Sequence, residues 1–316
     1  MNSLSLSKLL TQFEKKIHNI LGTEWKTLQE INAYAIASGG KRIRPILHYC
    51  VADCLGPIDE RNIRVGAVLE IIHTASLLHD DVVDESSERR GRPTIAKVWT
   101  NKHAILAGDY FLACGLDAIN ELRSPVVLDT FTKVIRELSI SEILQMDWQQ
   151  NPKITEEIYN RIIFGKTSAL FGACTYLAYV LSEKNPESRE SNQFWKFGID
   201  LGNYFQRRDD YMDYFFSKKD LGKDPWKDFD NGLYTYPIFE LRKILPKKSS
   251  KLIDSCFQSP KNNRKNLEKI FEDCNLEDSL KQNLKRDYAR LESFLLTLKE
   301  TPSRNLVFSQ LEKLKL

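Results

Sequence analysis

The stretch IHTASLLHDDVVD, residues 72–84, joins an apolar helical pattern to three closely spaced aspartates. Apolar residues recur here at about the 3.6-residue spacing of a helix. They are Ile63, Val65, Val68, Leu69, Ile72, Ala75, Leu78 and Val82. The spacing predicts one long helix over 62–84, with Asp80, Asp81 and Asp84 in its last turns.

The rest of the chain repeats this helical periodicity. Similar patterns run through residues 103–121, 126–148, 155–183, 192–216 and 277–298. Most prolines fall between these segments, where proline ends a helix instead of interrupting it. No alternating strand pattern stands out, so the sequence predicts an all-α fold with a single domain over 1–316. The segment 246–264, rich in Lys, Ser, Asn and Pro, is predicted to be an exposed connection.

A second cluster, Asp209-Asp210-Tyr211-Met212-Asp213, repeats the aspartate spacing of the first. Residues i and i+4 share a helix face, so these like charges repel and a cation would offset the repulsion. Carboxylate oxygens suit Mg²⁺, which uses substrate phosphates for its other positions. A solvated acidic helix face explains one such cluster about as well as a metal site does, but it explains two clusters less readily. The candidate metal ligands are Asp80, Asp81, Asp84, Asp209, Asp210 and Asp213.

Basic residues accompany both clusters. The stretch GGKRIRP, residues 39–45, is a glycine turn that carries cations, and glycine lets backbone amides approach a phosphate closely. The stretch RRGRP, residues 89–93, follows the first aspartates, and Lys166 and Lys223 lie further along. Arginine offers phosphate a bidentate fork. We expect two phosphorylated ligands, one bridged by metal and one held by side chains alone.

The composition excludes several classes of protein. The 316 residues are 42% hydrophobic and 28% charged, with a net charge of +3, which gives no concentrated basic face for nucleic acid. Residues 1–21 lack the apolar core of a signal peptide. The longest uncharged stretch, 167–182, is shorter than the about 20 apolar residues of a transmembrane helix. We expect a soluble, cytoplasmic protein with reduced cysteines.

Together these motifs resemble those of the trans-polyprenyl diphosphate synthases. The segments that carry the resemblance are 40–45, 72–84, 89–94, 165–171, 205–214, 222–223 and 232–237. The resemblance implies a single large helical bundle around a central cavity, the isoprenoid synthase fold. It also implies an enzyme that uses Mg²⁺ to condense isopentenyl diphosphate with an allylic diphosphate, and a homodimer.

The resemblance assigns roles residue by residue. Isopentenyl diphosphate is expected on Lys41, Arg44, His73 and Arg90. The allylic diphosphate is expected to bind Mg²⁺ that is held by Asp80, Asp84 and Asp209, with their neighbours assisting. It is also expected to contact five residues directly or closely, which are Arg89, Lys166, Thr167, Gln206 and Lys223. Periodicity alone would make His73 a packed core residue, so its assignment as a ligand comes from the resemblance.

Product length is expected to depend on the helix that carries Asp80. Ala75 and Ser76 lie about one turn before Asp80, and Ile72 lies about one turn further back. Synthases of this family that stop early often carry a bulky aromatic at this level. Small residues here predict a product longer than farnesyl diphosphate, of the medium- or long-chain type.

The chain also departs from the family pattern. Leu233 stands where a lysine is usual and Arg207 where an apolar residue is usual, and residues 139–145 lack the usual Glu-Gly-Glu. Leu233 keeps open the alternative of a non-catalytic or regulatory subunit of a heteromeric synthase. A class I terpene cyclase of the same fold is a third alternative. Lys41, Arg44 and Arg90 argue against it, because cyclases lack the isopentenyl site.

Overall fold

The computed structural model describes residues 3–221, 224–246 and 250–316, and these are almost entirely helical. The first half of the chain forms α1 (Ser3–Ile20), α2 (Lys26–Ala37), α3 (Ile43–Leu55), α4 (Glu60–Val83), α5 (Ile95–Val98), α6 (Asn101–Asn120), α7 (Pro125–Trp148) and α8 (Glu156–Ile163). The second half forms α9 (Ala169–Val180), α10 (Arg189–Phe215), α11 (Lys218–Leu221), α12 (Lys227–Asp230), α13 (Tyr236–Ile244), α14 (Ser250–Gln258), α15 (Pro260–Asp273), α16 (Leu276–Thr297) and α17 (Pro302–Glu312). The predicted all-α class is confirmed.

Two short irregular elements interrupt the helices. Within the described ranges, the one strand pairing is a hairpin of β1 (Glu88–Arg89) and β2 (Arg92–Pro93). A π-helical turn, Phe164–Ser168, separates α8 from α9. Both coincide with basic motifs of the sequence, and π-helical turns are frequent at functional sites.

Contacts divide the chain into two compact units. Unit 1 comprises Met1–Arg136, Leu170–Gly198 and Leu295–Lys313, and unit 2 comprises Glu137–Ala169, Ile199–Phe294 and Leu314–Leu316. The prediction of one domain over 1–316 stays a prediction.

Helix α4 is the central helix of unit 1, where it packs against α1, α3 and α6. Its start is fixed by Asp59, whose side chain accepts hydrogen bonds from the backbone N–H groups of Arg61 and Asn62. Its residues are buried on nearly every side, as expected for a helix surrounded by others. Gly66 allows a close approach to α3, because a Cβ there would lie 2.3 Å from the Tyr49 hydroxyl.

Unit 2 contains an aromatic cluster that covers the end of α10. The rings of Tyr214 and Trp226 lie 4.9 Å apart, and Trp226 stacks on Phe271 at 5.8 Å. Phe229 continues the cluster to Phe257 at 4.8 Å. Since aromatic side chains bury large apolar areas, this cluster fixes the chain that follows the second aspartate motif.

The prediction of an exposed connection over 246–264 is wrong for the part that the structure describes. This part forms α14 and the start of α15, and Ile253, Cys256 and Phe257 are buried. These few apolar residues share one helix face, while the polar residues that dominate the composition cover the other. Residues 247–249 lie outside the described ranges.

Among the residues that the structure describes, none of the helices has both the length and the hydropathy needed to span a lipid bilayer. All six cysteines are free thiols.

Candidate active site

The first aspartate motif ends α4 in unit 1. The Asp84 backbone N–H donates to the Asp80 carbonyl at 2.8 Å, so both residues belong to the same last turn and share a face. Asp84 is exposed and Asp80 is half-buried. Asp81 is buried, and its Oδ1 accepts a 2.6 Å hydrogen bond from Arg89 Nε. Two carboxylates of this motif are therefore accessible, and the third is engaged by a cation.

A tight hairpin brings the second basic motif back to α4. Arg89 pairs with Arg92, and the intervening Arg90 and Gly91 have φ values of 53° and 74°. Two positive φ values in a two-residue turn match the twist of a short hairpin. As a result Arg89 contacts Asp81, while the next residue, Arg90, donates a hydrogen bond from Nη1 to the Gly39 carbonyl.

The glycine turn before α3 has a left-handed backbone. The φ values are 67° at Gly39, 152° at Gly40 and 47° at Arg42. Glycine adopts such values without strain. Gly40 meets a second constraint, because a Cβ there would lie 2.7 Å from Arg90 Nη1. The missing side chain therefore lets the Arg90 guanidinium reach this turn.

A buried ion pair holds Arg42 in its unusual backbone conformation. Arg42 Nη1 donates to Glu70 Oε1 at 2.6 Å, and Nη2 donates to the Ile36 carbonyl at 3.0 Å. Glu70 is only 5% exposed and lies on α4, about one turn before His73. Sequence reasoning missed Glu70, because one glutamate in an apolar helical pattern belongs to no recognisable motif.

Arg44 and His73 are half-buried near further cations. The Arg44 guanidinium lies 4.9 Å from the centroid of the Phe171 ring, and its Nε has no hydrogen-bond partner among the described residues. Burial lowers the pKa of Arg44, and the charge of Glu70 opposes this change. Burial, reinforced by Arg44 and Arg90, lowers the pKa of His73 well below its ordinary value. His73 is therefore neutral at pH 7 and retains a donor and an acceptor.

One cleft of unit 1 collects most of these groups. Its wall includes His73, Asp81, Arg89 and Arg90 from the predicted site, together with Arg42 and Glu70. Arg44 and Lys41 do not line this cleft, and Lys41 is exposed. Three arginines face two carboxylates and a neutral histidine, so the wall carries surplus positive charge that suits an anionic ligand.

The predicted allylic-site residues of unit 2 meet around the π-helical turn. Lys166 Nζ lies 2.8 Å from Glu142 Oε1, and Thr167 Oγ1 donates to Gln206 Oε1 at 2.9 Å. Gly165 permits this turn to pack closely, because a Cβ there would lie 2.4 Å from the Glu137 carbonyl oxygen. The structure therefore brings Lys166, Thr167 and Gln206 to one place.

The three aspartates of the second motif differ in their surroundings. Asp209 is half-buried. Asp210 is buried and accepts hydrogen bonds from Tyr159, Gln206 and the Tyr236 backbone. Burial raises the pKa of the Asp210 carboxyl, and the hydrogen bonds oppose the rise. Asp213 is fully buried, and its Oδ2 accepts from the Asp228 N–H at 3.1 Å. Accessibility therefore singles out Asp209 within this motif.

The positions that depart from the family pattern have local partners. Arg207 Nη1 donates to Asp287 Oδ2 at 3.2 Å, and its guanidinium lies 5.4 Å from the Tyr236 ring centroid. Leu233 is half-buried, and its N–H donates to the Asp228 carbonyl at 2.8 Å. Lys223, predicted to contact the allylic diphosphate, lies outside the described residues.

The three predicted chain-length residues differ in exposure. Ile72 and Ala75 are fully buried, and Ala75 belongs to the core of unit 1 together with Phe111. Ser76 is half-buried, and its hydroxyl donates to the His73 carbonyl at 2.9 Å. Of the three, only Ser76 has a side chain that a ligand can reach without repacking the core.

Comparison with known proteins finds related chains and a matching fold. A solved decaprenyl diphosphate synthase from Rhodobacter capsulatus superposes with a TM-score of 0.90 at 26% identity, covering 99% of this chain and 97% of that one. The octaprenyl diphosphate synthase of Escherichia coli K12 is 31% identical over 287 residues, which are 90% of this chain and 88% of the relative. A geranyl-diphosphate-specific all-trans-nonaprenyl-diphosphate synthase from Rhodobacter capsulatus is 39% identical over 212 residues, 67% of this chain but only 64% of that relative.

The fold and the site together define a prenyltransferase with an all-α isoprenoid synthase architecture. The chain belongs to the polyprenyl synthetase family, whose model matches residues 25–274.

Proposed function

We propose that this chain condenses isopentenyl diphosphate with an allylic diphosphate to make a polyprenyl diphosphate longer than farnesyl diphosphate. The observation that carries the proposal is the arginine-rich cleft of unit 1, which adjoins a metal-type aspartate motif. Arg42, Arg89 and Arg90 surround a neutral His73 there, and Asp81 connects the cleft to the turn that bears Asp80. Such a site would hold a diphosphate beside a second, metal-bound diphosphate.

Isopentenyl diphosphate would bind to Lys41, Arg44, His73 and Arg90. The half-buried Arg44 has a buried Nε without a hydrogen-bond partner in the described chain, as expected for a guanidinium that binds an anionic ligand. His73 would donate one hydrogen bond as a neutral imidazole, since neighbouring arginines disfavour its protonation. Lys41 is exposed and would add charge at the rim.

The allylic diphosphate would bind to Mg²⁺ on Asp80, Asp84 and Asp209, with Asp81, Asp210 and Asp213 assisting from behind. Among the described residues no three His, Cys, Asp or Glu side chains form a metal cage by themselves. The accessible carboxylates of Asp80 and Asp84 suit Mg²⁺, which keeps few protein carboxylates and takes phosphate oxygens and water as its other ligands. When bound, Mg²⁺ would neutralise charge on the departing diphosphate.

Cleavage of the allylic diphosphate and formation of the new carbon–carbon bond would depend on this chain's cations and on exclusion of water. Arg89, Lys166 and Lys223 would stabilise the diphosphate as the allylic carbon–oxygen bond breaks, with Thr167 and Gln206 adding hydrogen bonds. The isopentenyl double bond would then attack the allylic cation, and a proton would leave to the released diphosphate. No protein nucleophile takes part, and apolar helix faces would keep water from the cation.

Product length, assembly and location extend the proposal. A growing chain would pass the small, half-buried Ser76, and the relatives above carry names of octaprenyl to decaprenyl synthases. We expect a homodimer in the cytoplasm. Ile105 and Leu106, 42% and 66% exposed on α6, form an apolar patch of the kind that subunit interfaces cover.

The purified chain should be incubated with isopentenyl diphosphate and either geranyl or farnesyl diphosphate in the presence of Mg²⁺, and the products weighed by mass spectrometry. We expect a ladder of products in steps of one isoprene unit, which EDTA abolishes. A chain that elongates neither primer would contradict the proposal. Elongation that occurs only after a second protein is added would favour the heteromeric alternative.

A further inference from the structure

The carboxylate of Asp210 is occupied by protein donors on both of its oxygens. Oδ2 accepts from the Tyr159 hydroxyl at 2.6 Å and from the Tyr236 backbone N–H at 3.1 Å. Oδ1 accepts from Gln206 Nε2 at 2.9 Å. Asp210 is 2% exposed, so a metal ion would have to displace these donors and open the packing around them. The neighbouring Asp209 is half-buried.

The hydrogen bonds continue from Asp210 to the π-helical turn. Because Gln206 Nε2 donates to Asp210, the carbonyl end of that amide must point elsewhere, and it accepts from Thr167 Oγ1 at 2.9 Å. Thr167 directly follows Lys166 in the turn. One buried carboxylate thus sets the rotamer of Gln206 and, through Thr167, the position of the turn that carries Lys166.

Tyr159 is the donor best suited to hold Asp210 in this role. It lies on α8, is 4% exposed, and packs its ring 5.1 Å from that of Phe239. Its hydroxyl donates the 2.6 Å hydrogen bond to Asp210 Oδ2, which is shorter than the 2.9 Å and 3.1 Å bonds from Gln206 and the Tyr236 backbone. Short hydrogen bonds from neutral donors to carboxylates are among the stronger ones in proteins.

We infer that Asp210 and Tyr159 are positioning residues, which fix Gln206, Thr167 and the Lys166 turn for the allylic diphosphate. The inference rests on the proposed function, and it gives the identical neighbours Asp209 and Asp210 different tasks. Asp210 would support the metal site only through the groups that it holds.

The test compares Tyr159→Phe with Tyr204→Phe. Tyr204 is a matched control in the same unit, since it is 2% exposed and its hydroxyl donates to the Leu314 carbonyl at 2.8 Å. We expect Tyr159→Phe to lower kcat/KM for the allylic substrate about tenfold or more, the loss of one charge-assisted hydrogen bond, while KM for isopentenyl diphosphate is unchanged. Tyr204→Phe should lower the Tm similarly but keep wild-type kinetic constants.

A binding measurement and a second variant complete the test. Inorganic diphosphate with Mg²⁺ should raise the Tm of the wild type and of Tyr204→Phe, but raise that of Tyr159→Phe much less. Asp210→Asn combined with Tyr159→Phe should lose no more activity than Asp210→Asn alone, because the two residues act as one unit.

Equal behaviour of Tyr159→Phe and Tyr204→Phe, or additive losses in the double variant, would overturn the inference. The Tm measurement needs no turnover, so it decides the inference even for a chain that makes no product. An active wild type with an unaffected Tyr159→Phe would overturn the positioning role and leave the proposed function intact.

Discussion

Arg42 and Glu70 form a buried ion pair with 2.6 Å between Nη1 and Oε1, and this pair joins the glycine turn to the central helix of unit 1. Glu70→Ala should lower the free energy of unfolding by about 3–5 kcal/mol, because it leaves a buried guanidinium without its counter-charge. It should also raise KM for isopentenyl diphosphate, since Lys41 and Arg44 flank Arg42. Denaturant titration and steady-state kinetics measure the two effects.

The double variant Arg42→Met, Glu70→Leu serves as the control for this pair. Replacing both charges with apolar groups of similar size should restore most of the stability. If it also restores KM, the pair acts only on stability, and a role in shaping the diphosphate turn is excluded.

Asp80→Ala and Asp209→Ala should each reduce turnover by at least about 100-fold and leave the helical fold intact, because a bound divalent ion stabilises transition-state charge by several kcal/mol. Asp117→Ala, at an exposed position of α6, is the control and should behave as wild type. Turnover is measured as incorporation of radiolabel into product, and the helical fold is checked by far-ultraviolet circular dichroism. Near-normal turnover in either motif variant would rule out the metal mechanism.

Ser76→Phe should shorten the product by several isoprene units while the first condensation survives, because the ring would fill space beside a half-buried position. Ala75→Phe differs, since Ala75 is fully buried and overpacking its site should cost about 1–3 kcal/mol of stability. Product lengths read by mass spectrometry and Tm values distinguish the two effects. An unchanged length distribution in Ser76→Phe would show that this helix face does not limit elongation.

The free energy of unfolding should fall as the pH is lowered, because one histidine is buried. Burial lowers the pKa of His48 to about 4, and its Nδ1 lies 2.9 Å from the Cys174 carbonyl. Between about pH 6.5 and 4 the unfolded chain binds a proton at His48 that the folded chain does not. The free energy of unfolding should therefore fall by about 3 kcal/mol between pH 6.5 and 4 and then level off for this group.

The measurement is denaturant unfolding across this pH range for the wild type, His48→Gln and His18→Gln. His18 is exposed and should make no difference. His48→Gln should have a flatter profile but keep some slope, because the pKa of His73 is lowered in the same direction. A profile for His48→Gln as steep as that of the wild type would show that other groups cause the acid sensitivity.

Much of the fold could be predicted from local patterns. The long helix α4 and the breaks at prolines follow from apolar spacing and backbone chemistry, which need no knowledge of distant residues. The helices α14 and α15 escaped prediction because a few apolar residues, such as Ile253 and Phe257, bury one narrow face of a polar segment.

The sequence also predicts which residue types form the candidate site, but it does not predict the separate role of each residue. Asp209 and Asp210 are adjacent and identical in the sequence, yet one is half-buried and the other is enclosed by donors. Tyr159 contacts Asp210 although the two residues are 51 positions apart in the sequence, and no local pattern predicts such a contact. Glu70 was missed for the same reason, because its partner Arg42 is 28 residues distant.

The two-residue turn at Arg90–Gly91 sends neighbouring arginines to different partners, Arg89 to the aspartate motif and Arg90 to the glycine turn. If each arginine serves its own substrate, one short hairpin sets the spacing between the two diphosphates. A mutation in this hairpin that changed affinity for the allylic diphosphate would then also change the binding of isopentenyl diphosphate. Specificity would have to evolve where the hydrocarbon tails lie.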